Sequence, residues 1–505
     1  MKAMPEENIL GKRFGILVSL SYITSHIEYA LVLAILATIP LAAGYLYINL
    51  PGTGGVGASI TLLAGAVVGS GLFFAVPRAA AFFKRTINVN LTLWAIVLAG
   101  VVFQVFVAVL TSPSPTHDAA AYLHLAQELA SGLDYVDAQG FRAFFPPGLP
   151  LFLTPFIWLF KTPLLAVVIA NLLLYILGAM SIWYLARHLI SAKAAVIATV
   201  LFTAWPSRLL LAGVAAKELL TLTAILAFIL FALKSLDGNE RRYRRHAALS
   251  GVSVGMAGLA QPGLMLLAVV FPLMFRHVLL QMPIKKALTC IALVVLAAFA
   301  VMSTWSARNF LLFDGQFYGI STNGGSVFYR ANNEKATGLW VGDGAVPISR
   351  LPEVQQDKVG FVLGKKWIFE HPAQAAMLSI RKLFYFLGED DQGVYSSVFN
   401  GDGETRAALS GRQKQIFESL NALSLLYWLA LTTMCMRGVL AYGKRSGGEF
   451  SAITPLLYPL LYGAAIFSIF ESGSRQHMFA VGPLFLIAII WLFQKRPRTG
   501  TLPNP

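Results

Sequence analysis

The sequence predicts an all-α polytopic membrane protein of about twelve transmembrane helices, carrying a small external α/β subdomain. Three observations predict it. Hydrophobic residues make up 57% of the chain and charged residues only 12%, about half the charged share of a soluble domain, and mean hydropathy is +0.67. Apolar stretches recur from residue 27 to residue 494, and several approach the roughly 20 residues that cross a bilayer. The basic residues fall mostly between those stretches, as the positive-inside rule requires. The net charge of +15 therefore reads as a topology signal and excludes a nucleic-acid partner.

Lys2, Lys12 and Arg13 precede the first apolar run, about 27–49. That run is long and Pro40 interrupts it, so it reads as an uncleaved span and not as a signal peptide. A second span, about 58–77, has Gly65 and Gly69 at the spacing that lets helices pack closely. Residues 1–90 thus form a two-helix extension, and Arg78, Lys84 and Arg85 place its end in the cytosol. A third span, about 91–110, leaves loop 111–149 outside. In that loop His117–Leu129 reads as a helix, with Tyr122, Leu125 and Leu129 at helical spacing on the membrane surface. After Phe145-Pro146-Pro147-Gly148, the apolar run to Phe160 is too short to cross and reads as re-entrant or interfacial.

Further spans follow at about 164–186, 194–206 and 214–233. A hairpin over 247–260 and 262–275 turns at Gln261-Pro262-Gly263, and a span at about 287–305 closes a core of residues 91–305. Residues 306–418 are too long for a connector. Turn signals at Asp314-Gly315 and Asn323-Gly324-Gly325 separate β-prone Gln316–Ile320 and Ser326–Tyr329. Helices are predicted over 353–370 and 373–387, the second amphipathic with Arg381 and Lys382 and able to lie along the membrane. Spans at about 420–436, 452–470 and 477–494 complete a C-terminal part, 419–505, and the charge bias puts both termini in the cytosol. Cys290 and Cys435 lie in apolar stretches and read as buried thiols.

Charged residues at a lipid boundary are costly and need a reason. Asp118, Lys217-Glu218, Arg308, and Glu471 with Arg475 all fall on the predicted external side. Each has two readings. Asp118 is a carboxylate for chemistry or the cap of the loop helix. Arg475 binds an anion or pairs with Glu471. Lys217-Glu218 holds a ligand or forms a structural pair, Arg308 anchors a helix end, and Arg142 is solvated or faces a phosphate. His117, His124, Asp134 and Asp137 match no metal-ligand spacing, so neither a metal nor another cofactor is predicted.

Several pieces recur in a fixed order: Thr116-His117-Asp118 with Tyr122, Leu129-Ala130-Ser131-Gly132, Phe145-Pro146-Pro147-Gly148, Pro206-Ser207-Arg208 and Lys217-Glu218. Trp305-Ser306-Ala307-Arg308-Asn309, Ser321-Thr322-Asn323-Gly324-Gly325, Asn332-Asn333 and Ala336-Thr337-Gly338 follow, then Glu471-Ser472-Gly473-Ser474-Arg475 before Pro483. With these the chain, over most of residues 91–494, resembles bacterial family 39 glycosyltransferases of the GT-C fold, the group of the protein O-mannosyltransferases and the lipid A aminoarabinose transferase. It departs from them in its two added spans and in having His117 before Asp118 where the motif often has two acidic residues. The resemblance implies transfer of a sugar from a polyprenyl-phosphate donor to a hydroxyl of an envelope glycan, lipid or protein. The site would lie on the periplasmic face of a bacterial inner membrane. It implies Asp118 as general base and Arg475, then Arg142 and Lys217, at the donor phosphate. His117, Tyr122, Glu218, Arg308 and Glu471 would support them. Inversion at the anomeric carbon is expected. The alternatives are a transporter or flippase for lipid-linked sugars, and a polymerase or ligase that moves a whole oligosaccharide.

Overall fold

The computed structural model describes residues 6–49, 89–237, 241–316, 319–339, 341–398, 411–445 and 453–493. The expected span at 58–77 lies outside the described residues, with its glycines and Arg78, Lys84 and Arg85. So do Lys495, Arg496 and Arg498. The described chain is helical: α1 (Glu6–Asn49), α2 (Val89–Thr111), α3 (His117–Ala130), α4 (Gly148–Phe160), α5 (Pro163–Leu189), α6 (Ala192–Ala204) and α7 (Pro206–Leu210). Next come α8 (Lys217–Leu236), α9 (Tyr243–Ala260), α10 (Leu266–Met274), α11 (Arg276–Leu279), α12 (Ile284–Leu312) and α13 (Gly324–Arg330). The last are α14 (Glu353–Glu370), α15 (Pro372–Gly388), α16 (Gln392–Val398), α17 (Gly411–Arg445), α18 (Thr454–Phe467) and α19 (Ser474–Phe493).

This is an all-α polytopic membrane protein, with fewer spans among the described residues than the expected twelve. Seven described helices are long and apolar enough to cross a membrane, or eight if Ala192–Ala204 and Pro206–Gly213, bent by 52°, count as one. Gly148–Phe160, Pro262–Met274 and Thr454–Phe467 are apolar but shorter. An apolar run in sequence does not reveal that its helix stops after 14 residues, as α18 does. The bend falls at Trp205-Pro206, where proline ends the helical ladder. Buried Arg208 satisfies the freed carbonyls, donating Nε to Phe202 O at 3.1 Å and Nη2 to Thr203 O at 2.9 Å. Its Nη1 reaches Gln104 Oε1 at 3.0 Å, and the guanidinium lies 4.6 Å from the centre of the Tyr175 ring. Inside lipid such carbonyls must find a protein partner.

The core centres on α8 and α19. Every residue of α19 from Gln476 to Ile490 is buried, and α8 is buried over most of its length. Both pack against α5, and α19 also meets α6, α17 and α18. A methyl group on Gly438 of α17 would stand 2.0 Å from Ile487 O of α19, so that pair packs backbone to backbone. Because both central helices are sheathed, their first residues, Lys217 and Ser474-Arg475, sit at the ends of a rigid unit.

The expected α/β subdomain is absent. No strand occurs among the described residues. Ser326–Tyr329, β-prone by composition, lies inside helix α13, which crosses α14 closely; residues 317 and 318 of the other β-prone piece lie outside the described chain. Tertiary packing overrides the local preference here. A Cβ on Gly325 would be 1.8 Å from Asp357 O, and one on Gly360 would be 2.2 Å from Gly325 O. Only glycine permits that crossing. Gly360→Ala is expected to cost about 1–3 kcal/mol, read as a lowered melting temperature of the purified protein. Helix α12 runs on to Leu312 and α17 starts at Gly411.

Helix α15 does not lie wholly on a membrane surface. Its second half enters the core at Phe386 and Leu387 and packs along α1, with the Phe384 and Tyr45 rings 5.2 Å apart. Lys382 is completely buried. Its ammonium meets two neutral oxygens, Asn332 Oδ1 at 2.9 Å and Ile469 O at 2.7 Å. Burial lowers its pKa from 10.5 to about 7. Between those two values the unfolded chain binds the proton and the folded chain does not, so this residue makes stability rise with pH across that window. Replacing it, as in Lys382→Met, is expected to flatten the slope of melting temperature between pH 7 and 10, measured against the wild type.

Candidate active site

Three helix starts meet at one place. Thr116 is the N-cap of α3, so Asp118 stands in the first turn and not at the cap. The residue between them, His117, has φ +47, a left-handed conformation that is costly for a side chain with a Cβ. Lys217 and Glu218 open α8, and Ser474 and Arg475 open α19. The positive ends of three helix dipoles thus gather around one carboxylate, which they favour in its ionised form.

Arg475 links the elements. Its Nη1 donates to Asp118 Oδ2 at 2.7 Å, and its Nη2 lies 3.5 Å from Glu471 Oε1. The side chains remain partly open, 40% exposed for Asp118 and 29% for Arg475, whereas that of Glu471 is 9% exposed. Beneath Asp118 the Tyr122 ring is buried, with Lys217 Nζ 6.0 Å from its centre and the Phe145 ring edge-on at 5.6 Å. Tyr122 and Leu125 therefore face protein and not the lipid surface expected for them. Glu218 is buried close by.

Burial pushes the Asp118 carboxyl up, but the charges of Arg475 and Lys217 outweigh it and hold the group below its ordinary value. Glu471 goes the other way: burial raises its pKa, and Arg475 offsets only part of that. Tyr122 is held neutral, raised first by burial and then by the Asp118 and Glu218 charges. The result is an ionised, half-open carboxylate beside two cations, over an aromatic floor. Such a set can accept a proton and meet an anion.

Arg142 and Arg308 belong to a neighbouring cluster. Arg308 donates to Arg142 O at 2.6 Å and lies 4.8 Å from the centre of the Trp305 ring. Trp305 in turn meets Tyr135 edge-on at 4.8 Å. Among the described residues no hydrogen bond or ion pair joins Arg142 to Asp118, Arg475 or Lys217. Phe145 lies between the clusters, touching Tyr122 with its ring and accepting the Tyr135 hydroxyl at its carbonyl, 3.0 Å away. Asp137 shapes the loop, its Oδ1 accepting Gln139 and Phe141 N–H at 2.9 Å. No group of three or more His, Cys, Asp or Glu side chains placed to hold a metal ion occurs among the described residues.

Sequence reasoning missed two carboxylate sites. Asp391 accepts the Ser474 hydroxyl. Asp390 accepts the Trp205 indole N–H at 2.6 Å and faces His477 Nε2 at 3.4 Å, while the His477 ring stacks on Trp428 at 4.5 Å. These bonds grip the first turn of α19 on both sides of Arg475. An acidic run, Glu389-Asp390-Asp391, one glycine after apolar Phe386-Leu387 is the signal that could have found them. The second site is Glu353, a buried carboxylate at the start of α14 that binds Arg142 N–H, Ala143 N–H and the Thr322 hydroxyl.

No protein-family model and no curated protein matches the chain. Among solved structures, the oligosaccharyltransferase of Archaeoglobus fulgidus in its apo form is 13% identical, with a TM-score of 0.47 over 79% of this chain and 50% of that one. The same organism's AglB, in complex with an inhibitory peptide and a dolichol-phosphate, gives 15% and 0.43 with the same coverage. ArnT from Cupriavidus metallidurans bound to undecaprenyl phosphate gives 16% and 0.34, over 78% and 76% of the two chains. The chain spans about half the length of the archaeal enzyme. These scores are too low to establish a shared fold, and the site stands on its own geometry.

Proposed function

We propose that this protein is a GT-C-type glycosyltransferase. It moves a sugar from a polyprenyl-phosphate donor to an acceptor hydroxyl at the external face of a bacterial plasma membrane, with both termini in the cytosol. The observation that supports this most is the Asp118–Arg475 contact at the meeting point of three helix starts. A base and a cation for a departing anion stand side by side at the ends of apolar helices.

The acceptor oxygen attacks the anomeric carbon, and its proton passes to Asp118. The bond between that carbon and the phosphate oxygen breaks, and the lipid phosphate leaves with the electron pair. Arg475 and Lys217 offset its charge, and Arg142 joins them from the neighbouring cluster. One displacement inverts the sugar. In the ligand-free arrangement Arg475 is committed to Asp118 and weakens it as a base. A donor phosphate competes for the same guanidinium, so donor binding restores basicity to Asp118.

The test offers a panel of polyprenyl-phosphate sugars and an envelope extract to the protein in liposomes. Released polyprenyl phosphate and the glycosylated product are followed by mass spectrometry. Donor-specific product supports the reading. Movement of the lipid across the bilayer without covalent product replaces it with a flippase, and a product heavier by a whole oligosaccharide replaces it with a polymerase or ligase.

A further inference from the structure

The peptide units of Arg142 and Ala143 are pinned on every side. Glu353 Oε2 accepts Arg142 N–H at 2.8 Å, and Glu353 Oε1 accepts Ala143 N–H at 2.7 Å. The same Oε1 accepts the Thr322 hydroxyl at 2.6 Å. Arg308 holds Arg142 O at 2.6 Å, and Thr322 N–H holds Ala143 O at 2.9 Å. Glu353 is only 8% exposed, and the three donors it accepts all come from inside the protein. Between those anchors the Arg142 side chain is 45% exposed, and its ion pair is with Asp134 at 3.5 Å, itself 81% exposed. A pair that open contributes little and is easily exchanged for another anion. A loop normally gains nothing from fixing the backbone beneath an exposed, loosely paired arginine. The arrangement makes sense if that guanidinium must be held ready for a ligand.

We propose that Glu353, with Thr322, is a positioning residue that aims Arg142 at the phosphate of the lipid-linked donor. This rests on the donor reading above. It also gives a role to the Ser321–Gly325 segment, which that reading left unused. That segment is the strap between loop 111–149 and α14, since Gly325 N–H is bound in turn by Asp357 Oδ1 at 2.7 Å. The chemistry of the clamp is specific to a carboxylate. Three donors converge on two oxygens; glutamine would keep one oxygen and turn an NH2 group against a backbone N–H.

The experiment uses the full chain in nanodiscs with undecaprenyl phosphate as probe. Binding is measured for wild type, Arg142→Ala, Glu353→Gln and the double variant. Hydrogen exchange at residues 141–145 is followed in parallel. Glu353→Gln and Arg142→Ala are each expected to weaken binding about tenfold, the scale of one charged hydrogen bond. The double variant is expected to be no weaker than Arg142→Ala, because Glu353 acts through that side chain. Exchange at 142 and 143 is expected to quicken at least about tenfold in Glu353→Gln for the same reason. Thr322→Val, which removes one donor and keeps the side-chain shape, is expected to move both readouts the same way, and it decides the matter if Glu353→Gln does not fold. Unchanged binding in a folded Glu353→Gln or Thr322→Val protein, or losses that add in the double variant, would overturn the proposal. A wild type that does not bind the lipid at all would overturn the donor reading and this role with it.

Discussion

Asp118→Asn is expected to lower sugar transfer by about 10²–10⁴-fold, the usual contribution of a positioned general base, while the protein stays folded. Asparagine keeps an oxygen that can accept the Arg475 hydrogen bond of 2.7 Å, so the contact survives and the proton acceptor does not. The comparison is made on initial rates at saturating donor, with melting temperature and lipid binding recorded beside them. A folded variant that transfers at the wild-type rate would remove Asp118 from its role. The pH profile gives a second reading. The charges of Arg475 and Lys217 overcome the effect of burial and hold the Asp118 carboxyl below its ordinary range. It therefore stays ionised through neutral pH, and the acid limb of the free enzyme is expected below that range. The sign for stability is the same. A depressed carboxylate contributes above its unfolded value and loses that contribution as pH falls through its folded value. The group is 40% exposed, so solvent screening keeps this contribution small.

Arg475→Met is expected to cut transfer by about 10²–10³-fold, the loss seen when one preorganised donor to a developing anion is removed. It should also move the acid limb to higher pH, because burial then acts on Asp118 with only Lys217 and His117 in opposition. These two effects separate the mechanism from simple misfolding, which would lower the rate without shifting the limb. Arg475→Lys keeps the charge but offers one nitrogen where the guanidinium uses two, Nη1 toward Asp118 and Nη2 toward Glu471. It is expected to recover the position of the limb and only part of the rate. A limb that stays in place in Arg475→Met would show that the guanidinium does not govern Asp118.

Asp118, Arg475, Lys217, Glu218 and Glu471 were legible as candidates because each is a charged group out of place at a lipid boundary, and Tyr122 through the resemblance that its motif carries. That they share one site was not legible, since Asp118 and Arg475 are separated by 357 residues. Glu353 stayed hidden for a different reason. It lies in a polar stretch, where a carboxylate excites no suspicion, and only burial makes it unusual. Ser326–Tyr329 was misread because β-branched and aromatic residues favour a strand in isolation. The crossing at Gly325 and Gly360 decided for a helix.

By itself, the sequence determined what depends on composition and period. The chain must be helical in lipid, since backbone groups there have no water to bind, and loop 111–149 had to begin as a helix carrying one early carboxylate. The tertiary structure decided what depends on where helices stop and which ends meet. It reduced twelve spans to seven or eight among the described residues and made Gly324–Arg330 a helix. It also turned Tyr122 inward and set Arg475 between Asp118 and Glu471. Hydrophobicity is a property of each residue, whereas a hydrogen bond between residues 118 and 475 exists only once both helices are packed.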